Sequence, residues 1–372
     1  MKVEQSGVPL SGPYLDEREE QLVLEVLRSG RLSLGPTIDA FEELVAAKVG
    51  APYAAAVSSG TAGLHLLCVT AGVSAGDEVI TTPYSFAASA NCFMYEGGVP
   101  VFADIDRATL NMDPAAVEAA VTPRTKAIVA VDIYGYPCEL DELRAIAARH
   151  GLALIQDSCE ALGAEYKGAP VGSHGPSAVF AFYPNKQITT GEGGIVTTHS
   201  EEEWRLLRSL RNQGRGDSGG WLEHVRLGYN YRLDDVRAAL GIGQVEKLDE
   251  ILALRRDVAA RYGELLRDMD GVELPLADDA DHRRSWFVYL VLLPSNADRE
   301  RVIAHFEREG IGYNRYLPSI HLQPYMRERY GFSEGLCPVS EDVSSRSLAL
   351  PFFTALGRDA QERVAEALAA AL

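Results

Sequence analysis

Seven short runs of β-forming residues, separated by stretches of helical periodicity, constrain this chain more than any other feature. The runs occupy residues 54–58, 78–82, 100–105, 127–133, 153–157, 178–182 and 194–197. Several are nearly continuous in apolar residues, such as AIVAVDI and LALIQD, which suits strands covered on both faces. Helical patterns lie between them, among them Leu140–His150 and Glu201–Arg211. Such alternation builds a mainly parallel sheet with helices on its faces, so an α/β domain is expected over residues 1–235. After Asp234 the pattern changes. A long amphipathic helix is predicted over 234–269, then one clear strand at 286–293, a helix near 299–309 and a C-terminal helix ending in ALAAAL. Residues 236–372 are therefore expected to form a linking helix and a smaller α/β domain.

The 372 residues suffice for one large domain plus a smaller one. A formal charge of -18 argues against nucleic acid or an anionic membrane as a general partner, while leaving room for a locally basic pocket. Residues 1–20 contain no apolar core of a signal peptide, and nowhere do about 18 apolar residues run uninterrupted. A cytoplasmic protein is expected. Five cysteines, at 68, 92, 138, 159 and 337, are scattered and lack any CxxC spacing. They read as reduced, mostly buried thiols rather than a zinc site or a disulfide framework, so no metal is expected.

Ligands of open α/β sheets gather at the carboxyl ends of strands, and three segments there carry polar chemistry. Val57-Ser58-Ser59-Gly60-Thr61 leaves a strand and opens a helix, where free backbone N–H groups and the helix dipole suit a phosphate. The same residues also read as a plain N-cap and turn. Asp157 ends its strand, where a carboxylate can pair with a cationic ring nitrogen or cap a following helix. Lys186 follows an aromatic, apolar strand and precedes three glycines, at 191, 193 and 194. Most lysines are solvated surface residues; an interior one, desolvated, presents a nucleophilic amine. A lysine for an imine, an acid 29 residues before it for a pyridine nitrogen, and a helix start for a phosphate make the set that pyridoxal phosphate requires.

With these residues in place, the sequence resembles the DegT/DnrJ/StrS-type nucleotide-sugar aminotransferases, fold-type-I enzymes of pyridoxal 5'-phosphate. The motifs run in order along nearly the whole chain: SGRLSLGP (29–36), SSGTAGLHL (58–66), PYSFAASAN (83–91), DSCEALGAEYKG (157–168), FYPNKQITTGEGG (182–194), GYNYRLDD (228–235) and YLPSIHLQPYM (316–326). The resemblance implies a large domain with a mostly parallel seven-stranded sheet. It implies that Lys186 is the Schiff-base lysine and the acid–base group of the proton shift. It further implies that Asp157 pairs with the pyridine nitrogen and that Phe86 stacks on the ring. Gly60 and Thr61 would bind the phosphate, and Glu160 would lie near the phenolic oxygen. Asn230 would reach the cofactor phosphate of the neighbouring subunit, hence a homodimer with shared sites. Tyr183, Tyr316 and His321 fall in motifs that line the sugar side, and Arg31 is a candidate for the diphosphate, though packing or surface roles suit all four equally.

One position departs from the family pattern. Ala181, five residues before the lysine, replaces a serine whose hydroxyl commonly holds the phosphate, and Ser177 and Asn185 are the candidate substitutes. Related dehydratases carry histidine in place of the lysine, so Lys186 points to transamination. The implied reaction moves an amino group from glutamate to a keto sugar carried on a nucleotide diphosphate. ITTGEGG is closer to the carbon-4 pattern than to the carbon-3 one. The alternatives are amination of a cyclic ketone of the scyllo-inosose type, and a non-catalytic regulator that kept the fold.

Overall fold

The computed structural model describes residues 7–216 and 223–372; of the leading stretch 1–20, residues 1–6 lie outside the described residues. All seven predicted runs are strands of one sheet. They are β1 (Tyr53–Val57), β2 (Glu78–Thr81), β3 (Val99–Phe102), β4 (Thr125–Val131), β5 (Ala153–Asp157), β6 (Ser177–Ala181) and β7 (Gly194–Thr198). Their order across the sheet is β1-β7-β6-β5-β4-β2-β3. The pairs β3–β2, β2–β4, β4–β5 and β5–β6 are parallel, while β7 runs antiparallel between β6 and β1.

Alternate residues of the same strands feed two cores, as the two-residue period of a strand requires. Ala54, Ala56, Ala178, Phe180 and Ile195 face one layer, which Phe41, Val45 and Val49 of the helix Pro36–Val49 complete. Ala55, Val57, Val179 and Val196 face the other, with Leu64 and Leu67 of the helix Gly60–Thr70. Each such leucine or phenylalanine contributes roughly 1.5–3 kcal/mol on burial. The sheet is therefore buried on both sides, which is why its strands read as apolar runs.

The predicted helix over 234–269 is two helices, Asp235–Glu246 and Leu248–Leu266. Lys247 leaves helical geometry between them, with φ -109° and ψ 16°, and its ammonium is held by Asp16 and Glu19. The first helix packs on Glu17–Ser29 and Pro36–Val49, and the second on the C-terminal helix Arg358–Ala371, so one straight rod would lose one of the two contacts. The strand expected at 286–293 is shorter, β8 (Tyr289–Leu292), because Trp286 takes a left-handed φ of 56°. It pairs antiparallel with β9 (Ser347–Leu350), which the sequence pattern missed. Around them Tyr262, Leu266, Phe306, Val364 and Leu368 form a further core. The chain's start joins this part: Val8 N–H donates to Gly310 O (2.9 Å) and Phe352 N–H to Leu10 O (2.8 Å).

Candidate active site

Because β1, β2, β4, β5 and β6 point the same way, their carboxyl ends collect one group of side chains. Each strand hands its chain to a loop or helix start there.

Lys186 lies in the loop after β6, and its side chain is 12% exposed. The loop is closed on itself: Lys186 N–H donates to Tyr183 O (2.9 Å), and Thr190 N–H and Thr189 Oγ1 both donate to Phe182 O (3.0 Å each). Lys186 Nζ is 3.2 Å from Glu160 Oε1 and 3.9 Å from the centre of the Phe287 ring. The amine thus projects from a rigid turn, with a carboxylate as partner and an aromatic face against it. Glu160 is itself fixed, since Oε2 accepts from Tyr134 N–H (2.9 Å) and its main-chain carbonyl accepts from Gln187 Nε2.

Asp157 is buried at the end of β5. Oδ2 accepts from Ser89 Oγ (2.7 Å), which is 2.7 Å from Ser85 Oγ, and Oδ1 accepts from Cys159 N–H (3.2 Å). No helix follows directly, so Asp157 is not an N-cap. A buried carboxylate whose two protein donors are both neutral keeps acceptor capacity for a cationic N–H, the property a pyridine partner needs.

The segment after β1 serves both of its possible readings at once. Ser59 is the N-cap of the helix Gly60–Thr70 and accepts from Ala62 N–H, and the first-turn N–H groups of Gly60 and Thr61 are free of intrahelical partners. A Cβ on Gly60 would lie 2.8 Å from both Ala181 Cβ and Cys159 Sγ, and one on Gly194 would lie 2.7 Å from Gly60 N. Glycine at both positions lets the helix start settle onto the ends of β6 and β7. Ala181 therefore does border the helix start. Ser177 cannot substitute for its missing hydroxyl: it sits at the opposite end of β6, bonded to Thr198 Oγ1 (2.9 Å) and Glu203. Asn185 is engaged elsewhere, its Nδ2 donating to Tyr316 Oη (3.1 Å).

The remaining predicted residues divide. Phe86, in the loop after β2, exposes 65% of its surface, a large apolar face that none of the described residues covers. Tyr316 is held by Asn185 and packs near Tyr134 and Phe287; burial, then Glu160, pushes its phenol pKa up. Tyr183 is half exposed in the lysine loop. Asn230 is exposed between Tyr229 and Tyr231, a stacked pair tied to His65 and Glu96. Arg31 is on the surface, donating to Leu34 O (2.9 Å). His321 does not join the group: its ring is wholly buried, with Nε2 against Glu341 Oε1 (2.9 Å) and Phe102 beside it.

Sequence reasoning missed several contributors. Ser89 orients Asp157, Phe287 lies over the amine, and Arg255 is buried behind the loop. Arg255 donates to the carbonyls of Lys186 (3.0 Å), Trp286 (3.1 Å) and Phe287 (3.3 Å), fixing the lysine and its aromatic neighbour as one unit. Burial lowers the Arg255 pKa to about 10. Only Ser89 lay inside a recognised motif, PYSFAASAN; the other two are brought in from more than 65 residues away, beyond any local signal.

A seven-stranded α/β sheet with a largely enclosed lysine, a strand-end acid and a phosphate-ready helix start along its carboxyl edge defines a fold-type-I enzyme of pyridoxal phosphate. The comparisons place it within that class. Residues 13–369 match the model of the DegT/DnrJ/EryC1/StrS aminotransferase family, and the chain belongs to that family. It is 37% identical to the spore coat polysaccharide biosynthesis protein SpsC of Bacillus subtilis, over 97% of this chain and 96% of that one. Among solved structures, Helicobacter pylori PseC, an aminotransferase involved in pseudoaminic acid biosynthesis, superposes with a TM-score of 0.93 at 29% identity, covering 98% of this chain and 99% of that one. The PLP-form of Spr1654 from Streptococcus pneumoniae, described as a putative sugar aminotransferase, gives 0.93 at 26% identity and 98% of each chain. The protein is a pyridoxal-phosphate-dependent sugar aminotransferase.

Proposed function

We propose that the protein transfers an amino group from glutamate to the keto group, at carbon 4, of a nucleotide-diphosphate keto-deoxysugar. The observation that carries the reading is the pairing of Lys186 with Glu160 at the same strand edge as Asp157 and the Gly60 helix start. Pyridoxal phosphate, when bound, supplies an electron-accepting ring that carries nitrogen between two substrates. This chain's residues do the rest. Lys186 Nζ would hold the cofactor and, when free of it, would be the group that takes and returns a proton. Asp157, held by Ser89 and Cys159 N–H, would keep the pyridine nitrogen protonated. Gly60 and Thr61 would hold the phosphate, Phe86 would cover the ring face, and Glu160 would lie by the phenolic oxygen. Tyr183 and Tyr316 border the sugar and Arg31 serves the diphosphate.

Asn230 completes the phosphate site of the neighbouring subunit, which makes the working unit a homodimer. Its exposure in this chain, beside Leu227 at 86% exposed, supports that placement. A cytoplasmic setting suits the five free cysteines.

The test is an amination assay with glutamate against a 4-keto sugar presented with and without its nucleotide diphosphate. Turnover of the nucleotide-linked form, lost for the free sugar, is expected. Equal turnover of both, or preference for a cyclic ketone, would overturn the substrate reading while leaving the cofactor chemistry standing.

A further inference from the structure

Beside the lysine site lies a second cavity of about 180 Å³, bordered by the loop 107–110, Ile133 and Tyr134 after β4, residues 273–276, Arg284, and Leu290 and Leu292 of β8. Two arginines there are incompletely satisfied. Arg284 is 6% exposed, with its guanidinium 4.7 Å from the Tyr136 ring centre and 4.9 Å from that of Trp286, and its Nε has no hydrogen-bond partner. Asp278 accepts the Arg284 backbone N–H (3.1 Å) and is the nearest opposing charge, but among the described residues no carboxylate forms an ion pair with the Arg284 guanidinium. Arg107 Nη1 is likewise buried and without a partner, whereas its Nη2 is taken by Glu273 (3.0 Å) and Asp342 (3.4 Å). Glu273 also borders the cavity, and its oxygens are already engaged by Arg107 and Arg346.

We propose that this cavity binds a small oxyanion, a carboxylate or phosphate group, between Arg107 and Arg284. Buried cations in proteins are paired or fully hydrogen-bonded. Arg255, whose Nε is also unpartnered, still sets its other guanidinium nitrogens on three main-chain carbonyls, whereas among the described residues the Arg284 guanidinium donates to no protein acceptor. Water in the cavity would satisfy the N–H groups but leave the Arg284 charge facing Asp278 alone, with no ion pair to it. An oxyanion supplies both, accepting from two guanidinium groups at once. Leu110, Leu274, Leu290 and Leu292 form apolar walls beside the two guanidinium groups, the arrangement of small-ligand pockets with a few convergent polar groups. Occupancy is felt close to the lysine, because Tyr134 borders the cavity and its N–H holds Glu160.

The test uses holoenzyme, whose cofactor phosphate site is filled. Calorimetric titration with inorganic phosphate and, separately, with succinate is followed by a selenate soak of crystals for anomalous scattering. Saturable binding of at least one anion is expected, with an anomalous peak between the two guanidinium groups. Affinity should fall at least tenfold in Arg284→Met with the cofactor's visible spectrum unchanged. Arg107→Gln serves the same purpose if the first variant does not fold. Binding of phosphate only would assign the site to free phosphate, and of succinate only to a carboxylate-bearing metabolite. No saturable binding of either anion, or binding undiminished in both variants, would overturn the proposal.

Discussion

Asp157 shows how much of a residue's role is set by its immediate donors. Its carboxylate is buried at a strand end, and Ser89 Oγ fixes one oxygen at 2.7 Å. Ser89→Ala would leave that oxygen short of a donor, and a destabilisation of about 1–3 kcal/mol is expected from denaturant unfolding. Asp157→Asn keeps the shape and removes the charge; the rate of the half-reaction with glutamate should drop by about a hundredfold or more, equivalent to at least ~2.7 kcal/mol. Tyr84 supplies the pH case. Burial pushes its phenol pKa up to about 12, so it stays a donor to Tyr316 O throughout the neutral range and is lost as a donor only as pH rises through that value. Tyr84→Phe should therefore leave the limbs of the pH–rate profile in place. Lys186, Asp157 and Gly60 were legible in the sequence because each follows a recognisable strand. Phe287 and Arg255 were not, because nothing local distinguishes a core aromatic or a helical arginine from one that ends beside a lysine. His321 was named for its motif and proves to be packed against Glu341.

At the scale of elements, the seven strands were readable because both sheet faces are buried, which turns each strand into an apolar run. β9 was not, since SLAL is short and follows the helix Pro338–Arg346 without a turn signal. The break at Lys247 was equally hidden: amphipathic periodicity continues through it, and only the pull of Asp16 and Glu19 from another helix marks the bend. In the proposed reading, cofactor retention turns on the helix start at Gly60. Gly60→Ala would drive a methyl group into Ala181 and Cys159, and a loss of about 1–3 kcal/mol with weaker cofactor binding is expected. Ala181→Ser adds the absent hydroxyl beside the same turn. It should slow cofactor dissociation by a factor of about five, near 1 kcal/mol, measured as loss of visible absorbance on dilution.

The whole molecule joins the strand-end site to elements far along the chain. Arg255, from the helix Leu248–Leu266, grips the lysine loop and the 286–287 segment together. The segment around Asn230 is stitched to its own subunit through Tyr231, whose carbonyl accepts from Ser58 N–H (2.8 Å) and whose hydroxyl meets His65 (3.0 Å). If Asn230 serves the neighbouring site, mixing inactive Lys186→Ala with impaired Asn230→Asp subunits should create hybrid dimers with one intact site and restore activity. Absence of complementation would place Asn230 outside the neighbour's site.

The account rests on Lys186 as the residue that holds the cofactor. The most direct measurement is borohydride reduction of the yellow holoenzyme followed by peptide mass spectrometry. A phosphopyridoxyl mass is predicted on the peptide containing Lys186, with no such label and no half-reaction with glutamate in Lys186→Ala. Label on a different lysine, or an uncoloured Lys186→Ala protein that transaminates at the normal rate, would contradict it.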